Sequence, residues 1–129
     1  MSITASRISH INVVIVPVTD QDRSIEFYEQ VLGFEKRIDI PFGDQYRWVE
    51  VHPPNGNTGI ALAPPPGGEV TAKDTGIGLL TDDVEATHEH MKSKGVDVDA
   101  EVSRMGGPVP PMFWFRDPDG HTLLVVESS

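Results

Sequence analysis

Short apolar runs, most of them β-branched or alternating with polar residues, are cut along this chain by Pro and Gly, and at two places the apolar spacing lengthens to that of a helix. The opening run, Ile8-Ser-His-Ile-Asn-Val-Val-Ile-Val16, predicts a strand buried on at least one face. Pro17 ends it, Thr19-Asp20 supplies N-cap chemistry, and Ile25, Tyr28 and Leu32 recur at helical spacing up to Gly33, a C-cap residue. Three strands are expected next: Phe34 to Ile40, Tyr46 to Val51, and Gly59 to Ala63, parted by turns rich in Pro and Gly.

After Pro64-Pro-Pro-Gly-Gly68, a linker by composition, the same order starts again. Gly76 to Leu80 reads as a strand, and Thr81-Asp82 as the cap of a helix with Val84, His88 and Met91 on its buried face. Asp82 with Glu85 fits a capping box, and Lys92 and Lys94 suit the negative end before Gly95. Val96 to Val102, Met112 to Arg116 and Thr122 to Glu127 complete the second set. Trp48-Val-Glu-Val, a Pro-containing turn with Gly56 and Ile60-Ala-Leu echo Trp114-Phe-Arg-Asp, Pro118 with Gly120 and Leu123-Leu-Val. The pattern is an internal repeat of βαβββ modules in one α+β domain over residues 1–129: module one at 6–64, a linker at 64–73 and module two at 74–128.

Composition narrows the chemistry. Cysteine is absent, which excludes disulfides, thiolate nucleophiles and thiolate metal sites. A formal charge of −10 repels a phosphate backbone, so nucleic acid is not an expected partner; the same balance aids solubility and favours cationic ligands. No run approaches the roughly eighteen apolar residues that span a bilayer, and the N-terminus lacks the pattern of a signal peptide. A soluble cytoplasmic protein that meets no membrane is the expectation.

Three pieces then carry a family resemblance: Ile8-Ser-His10-Ile at the first strand, Ser24-Ile-Glu-Phe-Tyr28 through Leu32-Gly-Phe34, and Asp117-Pro-Asp-Gly120 before the last strand. In this order, across a duplicated module, they resemble the vicinal oxygen chelate superfamily, which includes glyoxalase I, extradiol dioxygenases and bleomycin-binding proteins. The resemblance implies two βαβββ modules curling into an open, cup-shaped mixed sheet with helices outside. It also implies, in metal-dependent members, one ligand from the first and last strand of each module. His10 matches the first of those positions, but the other three fall on Ala61, Gly76 and Leu124, which carry no donor atom. One imidazole is a poor metal site, so no metal or other cofactor is expected.

Strand parity sends Val49, Val51, Ile60, Leu62, Phe113 and Phe115 toward the helices, and Tyr46, Trp48, Glu50, His52, Met112, Trp114 and Arg116 toward the cup. His10 and Asn12 line it from the first strand, while Ala61, Ala63, Gly76 and Gly78 leave room. The candidate ligand contacts are thus His10, Asn12, Trp48, Glu50, Trp114 and Arg116, in a pocket of apolar walls and few polar anchors. Alternatives stay open: Glu50 at a solvated rim, paired with Arg47 or Arg116; Trp48 and Trp114 as pocket wall or dimer interface; Gly106 to Pro111 as a lid or a stiff connection. His88, His90 and His121 are expected at the surface or the core edge.

Two functions fit these residues. The first is a metal-independent protein of the glyoxalase and bleomycin-resistance type that binds an apolar or aromatic small molecule, the acidic balance suiting a cationic one. The second is a lyase, isomerase or dioxygenase-type enzyme acting on a small carbonyl or oxygenated compound, with His10 and Glu50 as acid and base, or with a metal recruited by His10, Glu50 and His52. A homodimer is expected by resemblance.

Overall fold

The computed structural model describes residues 6–44, 46–65 and 67–129. The chain builds β1 (Val13–Pro17), α1 (Gln21–Glu26), a π-turn (Phe27–Val31), β2 (Glu35–Phe42), β3 (Tyr46–His52) and β4 (Gly59–Ala63). It then repeats the order as β5 (Asp74–Thr81), α2 (Val84–Ser93), β6 (Asp97–Val98), β7 (Met112–Arg116) and β8 (Thr122–Glu127). The strands form two four-stranded mixed sheets, ordered β1-β4-β3-β2 and β5-β8-β7-β6. In each, the first strand of the module runs parallel to the last, and the remaining pairs are antiparallel. The duplicated α+β architecture expected from the sequence is therefore the one observed.

Alternation sorts the residues as their parity requires. Val16, Val49, Val51, Ile60 and Leu62 of the first sheet and Phe113, Phe115, Leu123 and Val125 of the second are buried in one core with Ile25, Tyr28, Val84 and Met91 from the helical segments. Phe27 crosses between the modules, its ring centroid 6.4 Å from that of Phe115. Polar ties reinforce this seam. Arg23 pairs with Asp119, and the His121 Nε2–H donates to Pro17 O at 2.7 Å.

Several boundaries differ from the sequence reading, each for a local reason. The first strand starts at Val13 rather than Ile8, and Ile8, His10, Ile11 and Asn12 precede it as exposed coil. α1 is capped by Asp20, whose Oδ1 accepts from Arg23 N, and Gly33 at φ 75° turns the chain away. The cap of α2 is Asp83, not Asp82, because Thr81 is still in β5 and the chain needs one more residue to leave the sheet. Asp83 accepts from Ala86 N at 3.0 Å, and Glu85 pairs with Arg104 instead of closing a capping box. The strand expected over Val96 to Val102 contracts to Asp97–Val98, since Asp97 and Asp99 turn to meet Arg116.

Candidate functional site

β3 is the centre of the site. Its period of two places Tyr46, Trp48, Glu50 and His52 on the face opposite buried Val49 and Val51. Register across the sheet sets Ile40 beside Trp48, Ile38 and Ala61 on either side of Glu50, and Ile15 of β1 beyond Ala61. The face is open and apolar: Ile15 is 58% exposed, Ile38 36%, Ile40 55% and Tyr46 48%. Monomeric soluble proteins seldom leave such a contiguous patch bare without a partner or ligand.

On this face lies a short chain of hydrogen bonds. The Trp48 Nε1–H donates to Glu50 Oε2 at 2.7 Å, and His52 Nε2 lies 3.2 Å from Glu50 Oε1. A carboxylate oxygen accepts, so His52 carries its proton on Nε2 in this contact. Glu50 and His52 are each 6% exposed, and His52 Nδ1 is buried with no partner among the described residues. Each carboxylate oxygen keeps lone pairs beyond the one its donor uses. The arrangement is a fixed negative group at the floor of an apolar surface, able to hold the N–H of a cation or, with His52, to move a proton.

The second sheet offers a matching open face. Trp114 is half-buried there with Met112 and Arg116, beside Leu124 of β8, and Leu80 of β5 is 74% exposed. Arg116 is already committed: its Nη1 donates to Asp99 Oδ1 and its Nη2 to Asp97 Oδ1, both at 3.0 Å. These bonds hold the Asp97 carboxyl below and the Arg116 guanidinium above their ordinary ranges. Arg47 is likewise taken, by Asp39 and Asp22, and the Arg47 bonds hold Asp39 well below the usual carboxylate range. Glu50 therefore pairs with neither Arg47 nor Arg116 but with Trp48 and His52.

The structure brings some of the expected site residues together and leaves others apart. His10 is exposed, its Nδ1 sharing a 2.7 Å hydrogen bond with Ser9 Oγ, and Glu50 has His52 rather than His10 as its imidazole partner. Asn12 is exposed and uses its backbone carbonyl to accept from Gly59 N. Trp48 and Glu50 touch directly, whereas Trp114 and Arg116 lie on the other sheet. His88 donates from Nε2 to Asp99 O at 2.7 Å and stands edge-on to Phe113, a core-edge role. Exposed His90 meets Val31 O, while His121 is fully buried. A cleft of about 470 Å³ between the end of the π-turn and α2 is lined by Leu32, Gly33, Asp83 and Met91.

What the sequence reading missed is the direct Glu50–His52 hydrogen bond and the glycine behind it. A Cβ built on Gly59 would lie 2.5 Å from His52 Cδ2 and Cε1. The alternation Trp48-x-Glu50-x-His52 was the available signal, since residues two apart share a face.

Among the described residues no three His, Asp or Glu side chains stand together as the donor set of a divalent ion would. Ala61, Gly76 and Leu124, where the resemblance places three of the four ligands, carry no donor side chain, and Glu50 and His52 are bonded to each other.

A duplicated βαβββ module that builds two four-stranded mixed sheets defines the class of fold. The chain belongs to the Glyoxalase/Bleomycin resistance protein/Dioxygenase superfamily, whose model matches residues 7–125. It is similar to a member of that superfamily from Sphaerobacter thermophilus DSM 20745, with a TM-score of 0.86 and 31% identity, covering 94% of this chain and 98% of the other. It is also similar to TnmS3, an antibiotic-binding protein from Streptomyces sp. CB03234, with a TM-score of 0.79 and 32% identity over 96% of this chain and 99% of the other. A lactoylglutathione lyase of Arabidopsis thaliana is 30% identical over 123 residues, 88% of this chain but 42% of that protein.

Proposed function

We propose that this protein binds, without a metal ion, a small apolar or aromatic molecule bearing a cationic group, and that a second copy of the chain closes the cup over it. The observation that carries the reading is the Trp48–Glu50–His52 chain set into an otherwise apolar open face. Trp48, Tyr46 and the exposed isoleucines supply area for the ligand body, and Glu50 supplies the counter-charge for its N–H groups. The net charge of −10 adds a long-range attraction for a cation. The antibiotic-binding neighbour supports binding as the use of such a face.

Benzamidinium and its neutral counterpart benzamide separate the two contributions. By calorimetry, benzamidinium binds more tightly by roughly tenfold, the scale of one charge-assisted hydrogen bond. Glu50→Gln abolishes that preference while leaving the benzamide affinity within about twofold. Equal affinities for the two probes in the unaltered protein would sink the reading of Glu50 as anchor.

Closure by a second copy follows from apolar residues left bare on both sheets, Ile15, Ile38 and Ile40 on one and Leu80 on the other. Sedimentation velocity at micromolar concentration gives the mass of two chains, and Ile40→Asp shifts it toward one. A single-chain mass at all concentrations contradicts this part of the proposal.

The Glu50–His52 contact favours one further reading, catalysis on a small carbonyl or oxygenated compound, with His52 taking the role assigned to His10 from the sequence. Turnover that survives both Glu50→Gln and His52→Gln counts against it.

A further inference from the structure

We propose that Gly59 is a positioning residue of the ligand site: its missing side chain seats the His52 imidazole flat against β4 and so holds the Glu50 carboxylate toward the ligand's cation. This rests on the reading of Glu50 as ligand anchor. Gly59 opens β4, paired with Val13, and its N–H donates to Asn12 O at 2.8 Å. Glycine in a strand often marks a place where another group approaches the backbone closely.

The backbone itself does not call for glycine there. Eight glycines have positive φ and Gly59 is not among them, so an alanine fits the local conformation. What it does not fit is the ring. A Cβ at Gly59 falls 2.5 Å from both Cδ2 and Cε1 of His52 and nearer still to Nε2, far inside van der Waals contact. Nε2 is also the atom that meets Glu50 Oε1 at 3.2 Å. Displacing the ring therefore removes one of the two protein donors on the carboxylate. The Trp48 donor on Oε2 stays, and the freed carboxylate turns about its last torsion. Glycine at position 59 thus sets how sharply the site distinguishes a cation from a neutral molecule of the same shape.

The test uses the full-length protein, labelled with 15N, in the unaltered form and as Gly59→Ala, His52→Ala and the double variant. In Gly59→Ala the spectrum stays dispersed and the Trp48 indole N–H signal persists, while the hydrogen-bonded Nε2–H signal of His52 disappears. The affinity ratio of benzamidinium to benzamide falls by roughly threefold or more. In the His52→Ala background, Gly59→Ala changes neither the ratio nor the melting temperature, because the clash has no partner. An unmoved His52 signal in Gly59→Ala overturns the proposal, as does an equal effect of that substitution with and without the imidazole. If Gly59→Ala alone fails to fold, the double variant decides: it folds if the ring is the obstacle, and its failure to fold overturns the proposal. If benzamidinium does not bind the unaltered protein, the reading of Glu50 as anchor falls, and the His52 signal still reports whether Gly59 seats the ring.

Discussion

Phe115→Ala is expected to lower the unfolding free energy by about 3–5 kcal/mol, the range for truncating a fully buried Phe. Phe115 has no exposed surface and sits on β7 facing the shared core. Its ring meets Phe27 of the other module, and Phe27 stands edge-on to Tyr28 with centroids 5.5 Å apart. The cavity left by alanine opens at the seam, where two modules would have to shift together to fill it, so relaxation is limited and the cost lies high in the range. Guanidinium denaturation followed by tryptophan fluorescence measures it. Phe115→Tyr makes a sharper control than a second truncation, because it keeps the ring and adds a hydroxyl with no planned partner. A loss under about 1 kcal/mol for Phe115→Ala would mean that the modules are not packed through this residue.

His121→Ala is expected to cost about 3 kcal/mol, combining a cavity with two lost hydrogen bonds. The ring is completely buried between the modules. Its Nε2–H donates to Pro17 O at 2.7 Å and its Nδ1 accepts from Lys73 N at 3.3 Å, which together define a neutral imidazole. The residue's own N–H donates to Asp117 Oδ1 at 2.9 Å. That carboxyl is pushed up by burial, which the His121 and Asp119 N–H bonds only partly oppose. Thermal unfolding compares His121→Ala with His90→Ala, whose exposed ring makes one bond to Val31 O and whose loss is expected within about 0.5 kcal/mol. Equal losses for the two would remove His121 from the seam.

The sequence was most legible where periodicity and burial agree. Val49, Val51, Phe113 and Phe115 alternate with polar or half-buried residues over whole strands, and all four are buried as parity requires. The repeat was visible for the same reason, since each module writes its core in the same places. The strand at residues 8–12 was overestimated because Ile8 and Ile11 are strand-like residue types without a neighbouring strand to bond. Asp82 was preferred as cap because it follows Thr81, although where a strand ends is set by its partner: Thr81 pairs with Glu127 on β8. In the site, the face of Glu50 followed from parity, but its partner did not. Whether His10 or His52 meets a carboxylate depends on where the first strand begins and on a missing Cβ at Gly59, and both are tertiary facts.

The sheet order has a last consequence. Among the described residues every ladder stays within one half of the chain, β1 to β4 or β5 to β8. A nick between Gly67 and Gly68 would sever none of them. The halves meet instead through side chains, Phe27 on Phe115 and His121 on Pro17 O, with Arg23 against Asp119. The linker is thus a tether that raises the effective concentration of one half around the other, and the two halves, cut there, are expected to stay associated through the shared core.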